Sequence, residues 1–306
     1  MKQKDKIFWR IGQEITPETF IQADNYICSQ QSLIRRLISH KYYGLLPCID
    51  ANSSSLSIKV SLNNRDIYVE ELMCYGITSA GYLIEFDNYM LASVKKKNLL
   101  IQNVNSNAFF LVLRIKPFEQ SLIEPVENEE TPFSHPEYEL DIKESGQIEE
   151  DELSIMKFDT TDGFPKIDND YIPPCMSIDS FVKLSDNFMI FKRVINEIWT
   201  QVDLKKDQFQ KLFYPFRLLL FELDEFDLSE PPVSLIRLIK KIILTLSFFI
   251  PEIRQINEQD LNTEYDHNDI SHYFKSLIKY LNEILFIVSK VEEVKVVEEE
   301  DFTPKI

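Results

Sequence analysis

Apolar residues recur at helical spacing through the second half of the chain. They alternate at intervals of three and four between residues 181 and 202 and again after residue 270. This heptad pattern is typical of helices that pack along their length. The seam positions are Leu184, Phe188, Phe191 and Ile195 in the first of these helices and Leu277, Leu281, Ile284 and Val288 in the last. Two seams favour a helical bundle built partly between copies of the chain; a single-chain bundle core is the alternative.

The first half of the chain begins with a helical pattern and then changes period. Thr16 can cap a helix and Pro17 suits its first turn, which predicts a helix over residues 17–39. One apolar face of this helix comprises Phe20, Ala23, Ile27, Ile34 and Ile38. From residue 45, short apolar runs alternate with polar residues, and a polar turn at residues 63–66 predicts a hairpin. Such short strands favour an antiparallel sandwich or barrel, so the predicted fold class is α+β.

A pair of prolines marks the boundary between the two halves. Pro173 and Pro174 cannot donate backbone hydrogen bonds and hold the preceding residues extended, as in a stiff passage between domains. At 306 residues the chain also exceeds the size at which one core usually stops growing. We therefore predict an N-terminal helix with a β-sandwich domain at residues 1–172, a helical domain at residues 173–290 and an acidic, disordered tail at residues 291–306.

Charge and hydropathy exclude several classes of partner. The chain has 50 acidic against 33 basic residues and a formal charge of −17, which repels nucleic-acid phosphates and anionic lipid headgroups. The most apolar run, at residues 242–250, is about half as long as the roughly twenty residues that a membrane crossing needs. No apolar stretch follows the basic residues at the start, as a signal peptide would require. We expect a cytoplasmic protein with no nucleic-acid partner and no direct membrane insertion.

The sequence has no recognisable catalytic or metal-binding pattern. Its four cysteines are far apart and are best explained as buried free thiols. His267 and His272 are five residues apart, which places them on different faces of a helix. Asp266, His267 and Asp269 resemble an acid–base cluster, but helix capping explains the two aspartates more simply. With six glycines and no phosphate loop or nucleophile elbow, we expect no enzyme activity, no metal and no cofactor.

Three groups of residues, in this order along the chain, resemble the TssK family of type VI secretion baseplate proteins. The groups are Trp9, Gly12, Pro17, Phe20 and Asp24 near the start; Tyr171, Pro173, Pro174 and Cys175 at the proline pair; and Tyr265, Asp266, His267 and Asp269 before the last helix. The hairpin pattern at residues 153–167 leads into the second group as it does in the family. Thr19 departs from the family, which usually has histidine there.

The resemblance implies a β-sandwich shoulder, akin to phage receptor-binding proteins, and a helical neck that trimerises. It implies a structural adaptor without catalysis, located in the cytoplasm at the baseplate beneath the inner membrane. Its expected partners are two further copies of the chain and TssF/TssG-like wedge proteins. The family has a further C-terminal head, so we expect a short form that an unidentified protein links to the membrane complex. The alternative function is a baseplate or receptor-binding adaptor of a phage or other contractile injection machine.

Overall fold

The computed structural model of the chain describes residues 5–39, 42–47, 54–94, 97–100, 108–122, 134–161, 164–255 and 265–290. The acidic tail predicted at residues 291–306 lies outside these described residues. Two compact units are present. The first comprises residues 1–186, 228–232 and 265–272, and the second comprises residues 187–227, 233–264 and 273–306. The boundary predicted after residue 172 separates two domains that fold independently. The two compact units do not show independent folding, so that boundary stays a prediction.

The first unit begins with helix α1 (Pro17–Ser39) and a five-stranded antiparallel sheet. Its strands are β1 (Gly44–Leu45), β2 (Leu56–Asn63), β3 (Asp66–Ile77), β4 (Leu83–Phe86) and β5 (Asn98–Leu100), with the short helix α2 (Asn88–Leu91) between β4 and β5. The long strand β3 pairs with the other four strands. The hairpin predicted at residues 63–66 is confirmed: Asn63 pairs with Asp66, and Asn64 has a positive φ of 54°, which asparagine tolerates in turns.

A four-stranded antiparallel sheet completes the β structure, in the order β7, β6, β8, β9. Its strands are β6 (Ala108–Leu122), β7 (Ser134–Lys143), β8 (Glu152–Thr161) and β9 (Phe164–Ile167). The two sheets contact each other through side chains: the ring of Phe86 on β4 lies 5.1 Å from that of Tyr138 on β7, at nearly a right angle. The Tyr138 hydroxyl also donates to the Glu85 carbonyl oxygen at 3.3 Å. These contacts join the two sheets through β4 and β7.

The second unit is helical, and its helices pack through aromatic side chains. The helices are α3 (Val182–Leu204), α4 (Gln210–Asp224), α5 (Pro232–Phe249) and α6 (Ile270–Lys290). The rings of Phe191 on α3 and Phe274 on α6 are 5.4 Å apart, and Trp199 on α3 lies 4.7 Å from Phe213 on α4. The Lys205 ammonium donates to the carbonyl oxygen of Val288 at 2.8 Å, which satisfies one of the free carbonyls at the end of α6.

The helix ends agree with the local sequence signals. Helix α1 spans the predicted residues 17–39, α5 begins at Pro232, and Pro251 follows its end, as the capping and proline patterns predict. Pro215 lies inside α4, which continues through it. Among the described residues, no helix is both long enough and apolar enough to cross a membrane.

Candidate functional site

Two of the sequence-predicted groups, at residues 171–175 and 265–269, meet at strand β1. The Leu45 N–H donates to the Pro174 carbonyl oxygen at 2.8 Å, and the Met176 N–H donates to the Leu45 carbonyl oxygen at the same distance. On the other side of β1, Gly44 and Leu45 pair with Ile77 and Gly76 of β3. The proline segment therefore continues the hydrogen bonding of the first sheet through β1. We call the meeting point of these segments, residues 42–45, 171–176 and 265–269, the β1 junction.

Gly44 is required by the geometry of the β1 junction. Its φ is +119°, a conformation that residues with a side chain rarely adopt. A Cβ atom at this position would lie 2.0 Å from the Pro174 carbonyl oxygen. Sequence reasoning did not single out this glycine, although glycine is scarce in the chain and Gly44 comes directly before the change to strand periodicity.

His267 is buried in the β1 junction, and both of its ring nitrogens have partners. Its Nε2 lies 2.5 Å from the Tyr43 carbonyl oxygen and donates to it, while Nδ1 accepts from the Tyr265 hydroxyl at 2.8 Å. Because a carbonyl oxygen can only accept, Nε2 carries a proton, and in the neutral imidazole Nδ1 is then free to accept from the Tyr265 hydroxyl. Burial lowers the pKa of His267, although the Tyr43 carbonyl and the nearby Asp266 charge oppose the change. The imidazole therefore links two distant segments of the chain.

The neighbours of His267 order the backbone before α6. An Asp266 carboxylate oxygen accepts the Asn268 N–H at 2.9 Å, which closes a turn two residues before the helix begins. The Tyr43 hydroxyl donates to the Asn268 side-chain oxygen. Burial, and secondarily the charge of Asp266, raises the pKa of Tyr43 to about 12. These contacts assign Asp266 to the local structure of the turn.

Tyr171 and Cys175 are buried on the proline side of the β1 junction. The Tyr171 hydroxyl donates to the Ser154 hydroxyl oxygen at 2.9 Å, and its ring lies 5.6 Å from that of Phe110. The Cys175 thiol donates to the Pro173 carbonyl oxygen at 3.2 Å. Burial raises the pKa of both Tyr171 and Cys175. Both groups are therefore held in their neutral forms, and Cys175 lacks the thiolate character of a nucleophile.

The N-terminal group of motif residues is not part of the β1 junction. Trp9 and Phe20 are exposed, and so is Gly12, whose positive φ of 81° places it in an open turn where an added Cβ atom would have no neighbour within 4 Å. Pro17 begins α1, and Asp24 lies exposed further along the same helix. The structure thus brings together two of the three motif groups and leaves the first on the surface.

The heptad seam lies inside one chain. Each of its eight residues is at most 6% exposed; they are Leu184, Phe188, Phe191, Ile195, Leu277, Leu281, Ile284 and Val288. Side chains that are already buried within one chain have almost no exposed surface with which to contact a second copy. Their burial argues against the seam as the trimer surface and agrees with the single-chain core that periodicity left open. Periodicity identifies the apolar face of a helix but does not identify its partner.

Large apolar side chains are exposed on other helices of the second unit. Tyr214, Leu218 and Phe221 follow one another at intervals of four and three along α4 and are 73%, 59% and 67% exposed. Leu244 and Phe248, one turn apart on α5, are also exposed. We call these five residues the α4–α5 stripes. Exposed large apolar side chains that share one face of a helix are typical of sites of protein contact.

Three carboxylates cluster at the end of the second sheet, next to two cations. Glu149, Asp151 and Glu152 have oxygens within 4.8 Å of one another, the single group of metal-ligand type among the described residues. The Arg114 guanidinium contacts Asp151 at 3.0 Å and Glu149 at 3.1 Å, and the Lys143 ammonium lies 2.5 Å from Glu152. Burial alone would lower the pKa of Lys143, but the hydrogen bond and charge of Glu152 raise it. The cations neutralise much of the cluster without a metal ion.

Comparison with known proteins relates this geometry to one fold. No protein-family model and no curated protein matches the sequence. Among solved structures, a crystal structure of TssK matches with a TM-score of 0.66 and 15% identity, over 92% of this chain and 69% of that one. A chain of the TssK–TssF–TssG baseplate subcomplex of a type VI secretion system matches with a TM-score of 0.61 and 14% identity, over 94% of this chain and all of that one. A third match, with a TM-score of 0.59 and 12% identity, is to a type VI secretion baseplate complex. The chain has a TssK-like fold.

Proposed function

We propose that this chain is a structural baseplate protein of a type VI secretion system and acts by binding other proteins. One observation carries the proposal: the fold likeness extends over 92% and 94% of the chain to TssK and to a chain of the TssK–TssF–TssG subcomplex. Agreement over both units is more informative than a match to one common domain, since single folds serve many functions. In this function the first unit is a β-sandwich shoulder and the second is a helical neck.

The proposed partners of the shoulder are TssF- and TssG-like wedge proteins. The matched subcomplex contains TssF and TssG beside TssK. The side chains that join the two sheets, Phe86 and Tyr138 among them, support a rigid sandwich on which exposed loops could present a binding surface. The proposed location is the cytoplasmic face of the inner membrane, where a second protein links the baseplate to the membrane complex.

The proposed oligomer is a homotrimer that uses the α4–α5 stripes. This assignment moves the trimer surface away from the heptad seam, because the seam is buried within one chain while Tyr214, Leu218 and Phe221 are exposed. The Lys241 ammonium and Glu222 carboxylate lie 2.5 Å apart and join α5 to α4, so the two stripes belong to neighbouring helices. A trimer that buries these side chains removes a large apolar area from water, which favours association.

The proposed function includes no reaction. The buried polar groups that resemble catalytic residues have structural partners: His267 contacts Tyr43 and Tyr265, and Tyr171 contacts Ser154. Glu149, Asp151 and Glu152 pair with Arg114 and Lys143. Groups held in this way stabilise a fold and leave no nucleophile beside a free base, as catalysis by the β1 junction would require.

Co-purification tests the proposal directly. The full-length chain, tagged and co-expressed with the TssF- and TssG-type proteins of the same genome, should retain both through affinity and size-exclusion chromatography. A tagged TssK from an unrelated system, co-expressed with the same two proteins, is the specificity control. Failure of this chain to retain either protein, although the two form their own complex, would contradict the baseplate proposal.

A further inference from the structure

Helix α1 is attached to the rest of its unit by its polar side. Its buried residues are the two serines Ser29 and Ser32, one turn apart. The Ser32 hydroxyl donates to the Ala80 carbonyl oxygen at 2.6 Å. A helix on the surface of a globular protein usually buries its apolar face. In α1 this arrangement is reversed, because the small polar side chains face the protein.

A glycine allows α1 to approach closely. A Cβ atom on Gly81 would lie 2.3 Å from the Ser32 carbonyl oxygen, and the φ of Gly81 is +85°. The helix backbone is therefore almost in contact with the backbone of the turn between β3 and β4. The Arg35 guanidinium adds a longer hydrogen bond, at 3.5 Å, to the Gly81 carbonyl oxygen. This attachment fixes which side of α1 faces outward.

The outward side of α1 is an apolar stripe. Phe20, Ile27 and Ile34 recur every seven residues, and Ile38 follows one turn later, so all four lie along one side of the helix. They are 58%, 52%, 53% and 73% exposed. The sequence pattern assigns these residues to one apolar face, and the structure leaves that face uncovered. We call Phe20, Ile27, Ile34 and Ile38 the α1 stripe.

We propose that the α1 stripe pairs antiparallel with the α1 stripe of a second copy of this chain. The stripe is self-complementary in that orientation. When Ile27 faces Ile27 of the second copy, each Phe20 faces an Ile34, since both residues are seven positions from the centre. A two-fold interface requires this property, because the same patch must serve on both copies. The contact would give each copy the apolar cover that the described residues of its own chain do not provide.

Charge supports the choice of a second copy and of the antiparallel orientation. Within α1, the acidic residues Glu18 and Asp24 lie in the first half, and the basic residues Arg35 and Arg36 lie in the second. Antiparallel pairing opposes the two helix dipoles, so the partial charges at the helix ends attract each other. The helix has no net charge in a chain of −17, so its own charges do not oppose pairing with a second copy.

The same charges argue against a lipid surface as the occupant. Helices that lie on anionic membranes have an excess of lysine and arginine beside the apolar face. Helix α1 has two acidic and two basic residues, and the whole chain is strongly acidic. The apolar stripe therefore lacks the electrostatic attraction that such membranes supply.

This two-fold contact is separate from the proposed trimer, which uses the α4–α5 stripes. If both contacts form, two trimers join through α1 into a six-copy assembly, a closed arrangement that combines three-fold and two-fold symmetry. If the trimer proposal fails, α1 still gives a dimer. The two proposals therefore predict different masses for different variants.

Cysteine cross-linking in the full-length chain tests the orientation. In a Cys28→Ser background, Ile27→Cys should form a covalent dimer under mild oxidation, since antiparallel pairing brings this position beside itself. Phe20→Cys alone should not, whereas a mixture of Phe20→Cys and Ile34→Cys proteins should. The background protein without an added cysteine is the control. Self-cross-linking by Phe20→Cys, or no cross-linking by Ile27→Cys, would overturn the antiparallel pair.

Mass measurement tests the stripe itself. Replacement of Ile27 and Ile34 by glutamate should halve the mass of the assembly in sedimentation and light scattering. Ile21→Glu with Leu33→Glu is the matched control, because these exposed residues lie on α1 outside the stripe. Circular dichroism should show that both variants remain folded. An unchanged mass for the stripe variant, or binding of the parent to anionic vesicles through these residues, would contradict the proposal.

Discussion

The Nε2 atom of His267 lies 2.5 Å from the carbonyl oxygen of Tyr43, across a separation of 224 residues in the sequence. With Nδ1 accepting from Tyr265, this donor holds the segment before α6 against the segment before β1. Since the imidazole must stay neutral to accept at Nδ1, the contact depends on pH. We therefore expect the contribution of the β1 junction to the free energy of unfolding to depend on pH.

We predict that protonation of His267 at low pH lowers the free energy of unfolding. Its pKa is lowered by burial, so the unfolded chain binds a proton more readily than the folded chain below the ordinary value of 6.5. The free energy of unfolding should fall as the pH drops through 6.5 towards the lowered pKa. His267→Gln retains a side-chain N–H donor for Tyr43 but does not titrate, so its stability should fall less.

Urea denaturation at about pH 8 and about pH 5 measures this effect, a range that includes the ordinary histidine pKa. The stability advantage of the parent over His267→Gln should shrink at the lower pH. His272→Gln is the control, since His272 lies in the same region. An equal loss of stability in the parent and His267→Gln would show that His267 does not cause the acid sensitivity.

We predict that Gly44→Ala destabilises the chain strongly. The new Cβ would lie 2.0 Å from the Pro174 carbonyl oxygen, at a φ of +119°. Backbone strain of this kind costs on the order of 1–3 kcal/mol before the steric overlap is counted, so the loss of unfolding free energy should be about 3 kcal/mol or more. Gly146→Ala, with no atom within 4 Å of the new methyl group, should change stability little. Chemical denaturation compares the two variants; similar stabilities would contradict the close approach.

We predict that Lys143→Met lowers the free energy of unfolding, because it removes the cation beside the buried Glu152 carboxylate. Glu152 is 1% exposed, and Lys143 lies 2.5 Å from it. Removal of one partner of a buried ion pair typically costs about 3–5 kcal/mol. Lys59→Met removes an exposed pair with Glu70, at 2.8 Å, and should change stability far less, because water screens an exposed pair. Equal effects in thermal or urea unfolding would mean that Glu152 does not depend on Lys143.

We predict that Phe191→Ala lowers the free energy of unfolding of the single chain. Phe191 is fully buried and contacts Phe274, and loss of a buried phenylalanine side chain costs about 3–5 kcal/mol. Met189→Ala, an exposed position on the same helix, should change the unfolding free energy by about 0.5 kcal/mol or less. If instead Phe191→Ala lowered the oligomer mass without lowering stability, the seam would belong to an interface between copies.

We predict that the mass of the parent in solution is a multiple of three chains. Replacement of Leu218 and Phe221 by glutamate should abolish the three-fold contact, because both side chains are exposed in one chain and carry the proposed apolar contact. The matched control is Tyr89→Glu, an exposed apolar residue on α2 in the other unit. A parent mass of one or two chains, measured by light scattering at micromolar concentration, would contradict the trimer.

Local sequence signals were sufficient to predict where these helices begin and where the first hairpin turns. Proline and capping residues predicted the starts of α1 and α5, and a polar turn predicted the hairpin between β2 and β3. Such features depend on backbone conformation and hydrogen bonding within a few residues, so they can be read from the chain. The motif residues also identified the TssK-like fold.

Only the tertiary structure decided which apolar helix faces are buried. The seam around Phe191 and the α1 stripe around Ile27 have the same periodicity, yet the first is buried and the second exposed. The difference arises because Gly81 and the small side chain of Ser32 allow the polar side of α1 to approach a backbone turn closely. Periodicity defines an apolar face by residues close in sequence, whereas its burial depends on segments distant in sequence, as the contact between Tyr43 and His267 also does.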